Sequence, residues 1–192
     1  DLSAVEQERL QRIQRAAGEM SELIETFLIL AQINNDSLEV TRYEMAPLVR
    51  KVIDQQRVWL GDKPVDVIVD EQEPLFVSAP SGILSVLVAN LVRNAFRYTE
   101  RGRVVLTLSA GRLAVADTGV GIDPEIKAQL FKGSSARFSN HSDRVRLGLS
   151  IVQRICERYG WTISYESAKG RGSQFTVSFE PHTTDVDQSL LR

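Results

Sequence analysis

The sequence predicts an α+β protein: a two-layer α/β sandwich, one sheet with helices on one face, preceded by one long helix. Three observations carry this prediction. From Leu38 onward, stretches with strand periodicity alternate with stretches of helical periodicity. The strand pairs within 103–117 and 162–179 are joined by short glycine turns, which predicts antiparallel hairpins and argues against a doubly wound parallel sheet. Ahead of them, Leu2 to Ile33 is helical in pattern and carries no strand signal.

The first helix has apolar residues at Leu10, Ile13, Ala17, Met20, Ile24, Phe27 and Ala31, spacings that alternate between three and four. That is a heptad seam, and Leu23, Leu28 and Leu30 widen it to the stripe of a helix in a bundle. A lone helix cannot bury such a stripe, so self-association through it is expected. Asn34-Asn35-Asp36-Ser37 breaks the pattern as a linker, which sets the boundaries 1–36 for helix and linker and 37–181 for the mixed domain.

Within that domain, Leu38 to Met45 suits a strand, and Pro47 opens a helix with Leu48, Val49, Val52, Ile53, Trp59 and Leu60 on one face. Gly61-Asp62-Lys63-Pro64 ends it. Val65, Val67 and Val69 alternate as a strand, and Leu75 with Val77 marks a second, shorter one. Ser81 to Thr99 is a strongly apolar helix. Val104, Leu106 and Leu108, a turn at Gly111, then Leu113 and Val115 form the first hairpin. From Ile122 to Arg146 the chain is polar and long for a connection, as a functional lid would be (122–146). Leu147 to Tyr159 is a helix stopped by Gly160, and the second hairpin closes the domain around Lys169-Gly170-Arg171-Gly172. Residues 182–192 lack apolar periodicity and read as a flexible tail.

Composition removes several function classes. With 192 residues, 43% hydrophobic and 25% charged, the chain suits one large soluble domain, or one domain and an appendage. A net charge of −2 without a basic stripe argues against a nucleic-acid partner. The single cysteine, Cys156, lies in an apolar periodic run and reads as a buried, reduced thiol. Scattered from it, His141 and His182 form no zinc cluster. No apolar run spans a bilayer, and no signal-peptide layout opens the chain. A soluble, reducing-compartment protein, or a soluble piece of something larger, is expected.

Two stretches carry the chemistry. Ala116 to Asp123 places Asp117 at the end of an inward strand, followed by Gly119 and Gly121, which let a flat ligand lie against bare backbone. A lone acid there suits an amino group such as that of adenine, although the same residues also suit an ordinary turn. On the apolar helix, Ile83, Leu84, Val86, Leu87, Val88, Leu91, Val92, Ala95 and Phe96 leave one polar line, Asn90, Asn94 and Arg97, at i, i+4 and i+7. The line is either a solvent-facing stripe or a buried set of amides awaiting a ligand. In the second case an uncharged oxygen-lined stripe suits a hydrated magnesium ion, with Arg97 reaching a phosphate.

Together these motifs resemble those of sensor histidine kinases of bacterial two-component systems. Asn90-Leu-Val-Arg-Asn94-Ala-Phe-Arg-Tyr98-Thr99 resembles their N box, Asp117-Thr-Gly119-Val-Gly121 their G1 box and Leu130-Phe131 their F box. Leu147-Gly148-Leu149-Ser150 resembles the end of the G2 box, and Gly170-Arg-Gly172-Ser173-Gln-Phe175 the glycine turn before the last strand. Order and spacing agree across Leu38–Pro181, and the first helix resembles the second helix of the family's dimerisation and phosphotransfer hairpin.

The resemblance implies the Bergerat-type ATP-binding fold shared with gyrase and related chaperones, with ATP and Mg²⁺ as ligands. It implies Asn94 as the Mg²⁺ ligand with Asn90 assisting, and Arg97 and Tyr98 on phosphate and nucleotide. Asp117 is expected on the adenine amino group, with Gly119 and Gly121 allowing close approach. Ile122, Phe131 and Ser173 belong to the expected nucleotide set, and the amides of Leu147, Gly148 and Leu149 at a helix start would hold phosphate. Asn90, Asn94 and Arg97 form the expected catalytic set. Where hydrolytic superfamily members place a glutamate, this chain has Asn90, so transfer to a protein histidine fits better than hydrolysis.

Two departures stand out. Asp143-Arg144-Val145-Arg146 replaces further glycines of the G2 box, so Arg144 and Arg146 either bind phosphate or form a solvated charge run. No histidine lies in a phosphoacceptor context, so the chain is expected to be a fragment that cannot autophosphorylate alone. The implied parent is a homodimeric kinase anchored in the bacterial inner membrane that relays phosphate to a response regulator, this portion being cytoplasmic. The rival readings are a degenerate nucleotide-sensing or dimerisation module and a hydrolytic or serine-directed relative on the same fold.

Overall fold

The structure is a computed structural model that describes residues 39–122 and 141–179, together with Glu6 and Arg9; for 141–147 it describes the backbone only. The chain divides into two compact units, Asp1–Leu38 and Glu39–Arg192. In the first unit, Glu6 and Arg9 are helical and exposed. The heptad seam, the 123–140 part of the expected lid and the 182–192 tail lie outside the described residues.

The second unit begins with β1 (Thr41–Glu44), shorter than the sequence predicts because α1 (Met45–Gln56) starts directly after it. Pro47 occupies the third position of α1, where the first turn needs no backbone N–H. The helix buries Met45, Ala46, Val49, Val52 and Ile53, then tightens into a 3₁₀ turn at Arg57–Trp59. Next come β2 (Val65–Glu71), β3 (Phe76–Ala79), α2 (Ser81–Tyr98), β4 (Gly102–Ser109) and β5 (Arg112–Asp117). The order closes with α3 (His141–Tyr159), β6 (Thr162–Ala168) and β7 (Gly172–Ser178).

Both predicted hairpins form: β4 with β5 and β6 with β7 are antiparallel neighbours. They sit in a five-stranded sheet of order β2-β4-β5-β7-β6. Its β2–β4 pair is parallel, which makes the sheet mixed. The connection from β2 to β4 runs through β3 and α2, long enough for the crossover that a parallel pair requires. β3 pairs with β1 in a separate two-stranded ribbon.

Alternation along the strands sends Val104, Leu106 and Leu108 of β4, Leu113 and Val115 of β5, and Phe175 and Val177 of β7 into the core. The helices supply the other layer. On α2, Ile83, Leu84, Leu87, Val88, Leu91, Val92, Ala95 and Phe96 are all buried, and α2 packs against α1, α3 and β5. Among the described residues no helix is long and apolar enough to cross a membrane.

One boundary is corrected. The helix expected from Leu147 begins at His141. No glycine or proline interrupts 141–147, and polar residues there extended the helix without extending its apolar pattern. Its end is as expected: Gly160 takes φ 68° and the Trp161 N–H donates to the Cys156 carbonyl at 2.8 Å, closing the helix.

Candidate functional site

Asp117 ends β5 in register with Val104 of β4 and Ser173 of β7. Its half-buried carboxylate accepts the Gly119 N–H at 2.8 Å and a backbone hydrogen bond from Ser173. Burial raises its pKa above 3.8, and the two backbone donors partly offset that rise. In its ionised form this is an acceptor-only group, oriented by the backbone and half-buried. A ligand that presents an N–H donor is its natural complement.

Residues 118–122 form a loop tied down at three places. Thr118 Oγ1 accepts the Arg103 N–H at 3.0 Å, the Val120 N–H donates to the Tyr98 carbonyl at 3.2 Å, and the Gly170 N–H donates to the Val120 carbonyl at 2.7 Å. These bonds join β4, the end of α2 and the β6–β7 turn. Close packing is why two positions must be glycine. A Cβ at Gly119 would strike the Tyr98 carbonyl, and one at Gly121, where φ is +67°, would strike the Ala168 carbonyl.

The polar line on α2 is not a surface stripe. Asn90 is only 3% exposed, and its amide is engaged within the helix, Nδ2 donating to the Val86 carbonyl at 2.9 Å and Oδ1 accepting from Arg93 at 2.9 Å. Asn94 is half-buried, and its Nδ2 is fully buried without a hydrogen-bond partner. Leaving such a donor unsatisfied costs about 1–3 kcal/mol, so this amide is suited to a polar ligand. Arg97 lies one turn on, its guanidinium 5.8 Å from the Trp59 ring centre and 6.0 Å from that of Tyr98.

Helix α3 meets this line at Gly148, where a Cβ would sit 3.1 Å from Asn90 Oδ1 and 3.5 Å from Asn94 Nδ2. The early start of α3 changes what its backbone offers. The amides of Leu147, Gly148 and Leu149 are interior to the helix, where N–H groups bond to carbonyls four residues back, so they are not the free first-turn donors the sequence predicts. Leu149 is instead a core residue. Ile122 and Ser173 lie at the glycine loop, joined through Ser167: the Ile122 N–H donates to Ser167 Oγ at 2.8 Å, and the two serine oxygens are 2.9 Å apart. Phe131 and the side chains of Arg144, Arg146 and Leu147 lie outside the described residues.

Three contributors escape sequence reasoning. Lys63 reaches back to the end of α2, donating to the Phe96 and Arg97 carbonyls at 3.1 and 3.2 Å and pairing with Glu100 at 3.1 Å. Arg93 holds Asn90, and Ser167 joins Ser173 to Ile122. Only Ser167 carried a usable signal: a short turn at 169–171 places it opposite Ser173 in any regular hairpin.

Residues 81–183 match the Histidine kinase-, DNA gyrase B-, and HSP90-like ATPase family. The heme sensor protein HssS of Staphylococcus saprophyticus is 27% identical over 183 residues, which cover 89% of this chain and 38% of that protein. The chain therefore spans about two fifths of this relative. A crystal structure of full-length ShkA in complex with AMPPNP superposes with a TM-score of 0.69 at 26% identity, covering 93% of this chain and 40% of that one. The catalytic domain of histidine kinase ThkA, in a nucleotide-free form, gives a TM-score of 0.63 at 26% identity and is covered over 97% of its length, by 75% of this chain. The α/β sandwich is the fold of these structures, and the chain belongs to the histidine kinase-, DNA gyrase B- and HSP90-like ATPase family.

Proposed function

We propose that the chain is the ATP-binding catalytic portion of a sensor histidine kinase, whose longer parent transfers the γ-phosphate of ATP to a histidine for relay to a response regulator. The observation that carries this reading is the Asp117 carboxylate, half-buried, backbone-oriented and bounded by a loop too tight for side chains at Gly119 and Gly121. Such a floor accepts the adenine amino group and admits a flat ring against the backbone.

At the other end, Asn94 is the first candidate for Mg²⁺ through its amide oxygen, as the family resemblance implies, while its buried, unpartnered Nδ2 is a donor suited to a phosphate oxygen. Asn90, whose oxygen already accepts from Arg93, is the assisting residue. A bound magnesium ion would neutralise phosphate charge and orient the phosphates. Arg97 and Tyr98 end the same helix and are assigned to phosphate and nucleotide. Asn90 offers no proton acceptor strong enough to activate water, which favours phosphoryl transfer to a positioned histidine over hydrolysis. With α3 helical from His141, contact with the phosphates falls to side chains, Arg144 and Arg146 being the nearest cations in sequence, with Phe131 and Ile122 flanking the nucleotide. Residues 1–36 are assigned to the dimerising hairpin of a membrane-anchored homodimer, and 122–146 to the lid.

The test is phosphotransfer in trans. With labelled Mg-ATP, the chain should phosphorylate a separately supplied hairpin carrying the parent's acceptor histidine, leaving an acid-labile, alkali-stable label. Asn94→Ala should reduce that rate at least tenfold. Nucleotide binding without any transfer would instead mark a sensing module.

A further inference from the structure

Strands β5, β7 and β6 carry three polar side chains at one level of the sheet: Asp117 is the register partner of Ser173, and Ser173 that of Ser167. The first two belong to the proposed adenine floor; Ser167 does not. Its Oγ lies 2.9 Å from Ser173 Oγ, accepts the Ile122 N–H at 2.8 Å and donates to the Gly172 carbonyl at 3.1 Å.

Counting hydrogens fixes the direction of this chain. A serine hydroxyl has one hydrogen to donate and two lone pairs to accept with. The Ile122 N–H can only donate, and the Gly172 carbonyl can only accept. Ser167 therefore spends its hydrogen on Gly172, and the hydrogen between the two hydroxyls comes from Ser173. Ser173 Oγ is left with lone pairs alone. On the adjoining strand, the Asp117 side chain in its ionised form is also acceptor-only. Two neighbouring acceptors favour a donor-bearing purine edge, a 6-amino group and the water that accompanies it, over a 6-oxo group.

We infer that Ser167 is a positioning residue for base selectivity, which holds the Ser173 hydroxyl as an acceptor beside Asp117 and so favours 6-amino over 6-oxo purine nucleotides. The inference rests on the nucleotide site proposed above. Without Ser167, the Ser173 hydrogen is free to rotate toward a 6-oxo group, and the floor loses its preference.

Calorimetric titration of ADP and IDP into the wild type, Ser167→Ala, Ser167→Thr and Ser173→Ala tests it. The ADP-to-IDP affinity ratio should fall about tenfold in Ser167→Ala, the scale of one neutral hydrogen bond, and recover in Ser167→Thr, which keeps the hydroxyl. It should fall likewise in Ser173→Ala, with no further fall when Ser167→Ala is added, because both act through one group. A residue that only braces the hairpin would weaken both nucleotides alike, so an unchanged ratio in Ser167→Ala overturns the inference. So does a further fall in the double variant relative to Ser173→Ala. A wild type that binds neither nucleotide overturns the nucleotide reading itself, whereas binding with an unchanged ratio in Ser167→Ala overturns the inference alone.

Discussion

Asp117 shows how one side chain ties stability to binding with opposite signs. Burial raises its folded pKa above 3.8, so folding favours the protonated form. Its contribution to stability is complete below pH 3.8 and is lost as pH rises through the raised folded value. The melting temperature of the wild type, measured relative to Asp117→Asn, should therefore decline across that window. Nucleotide affinity should move the other way, because an amino-group donor needs the ionised carboxylate; affinity that holds constant as Asp117 protonates would contradict its role. Cys156 is a second residue whose surroundings set its chemistry. Burial, with Glu157 nearby, pushes its thiol pKa up to about 12. In the native protein at pH 8 it should resist a thiol reagent and react only on unfolding; fast native labelling would show that α3 opens locally.

Among the elements, α2 was the most legible and also the one whose surroundings were least so. Its apolar girdle and its Asn90–Asn94–Arg97 line follow from sequence spacing, and burial decides between the two readings of that line. The cation at its end was invisible, because Lys63 is 33 residues away from Phe96 in sequence and meets it only through the fold. Lys63→Met should lower stability by about 1 kcal/mol, the combined scale of carbonyl capping and the interaction with the helix dipole. Chemical denaturation checks this, and no change would mean that solvent replaces the amine fully. The start of α3 is not legible for a physical reason: Val145 is the one apolar residue in 141–146, and a single apolar position leaves no period to read. The expectation of phosphate amides at Leu147–Leu149 depended on that start.

For the molecule as a whole, local hairpins were readable because a short turn fixes both partners and register, as at 103–117 and 162–179. The parallel β2–β4 pair and the separate β1–β3 ribbon join distant segments, and strand periodicity names no partner. The site inherits this division. Asp117, Gly119 and Gly121 form a local motif, whereas the bonds that make it a rigid floor come from Tyr98, Ser167, Gly170 and Ser173. The account thus rests on a floor assembled by the whole sheet and centred on one carboxylate. Calorimetric titration of ADP, with and without Mg²⁺, into the wild type and Asp117→Asn tests that claim most directly. Saturable one-to-one binding by the wild type, strengthened by Mg²⁺ and lost at least tenfold in a folded Asp117→Asn, is the predicted result; equal binding by both proteins, or none by the wild type, would contradict it.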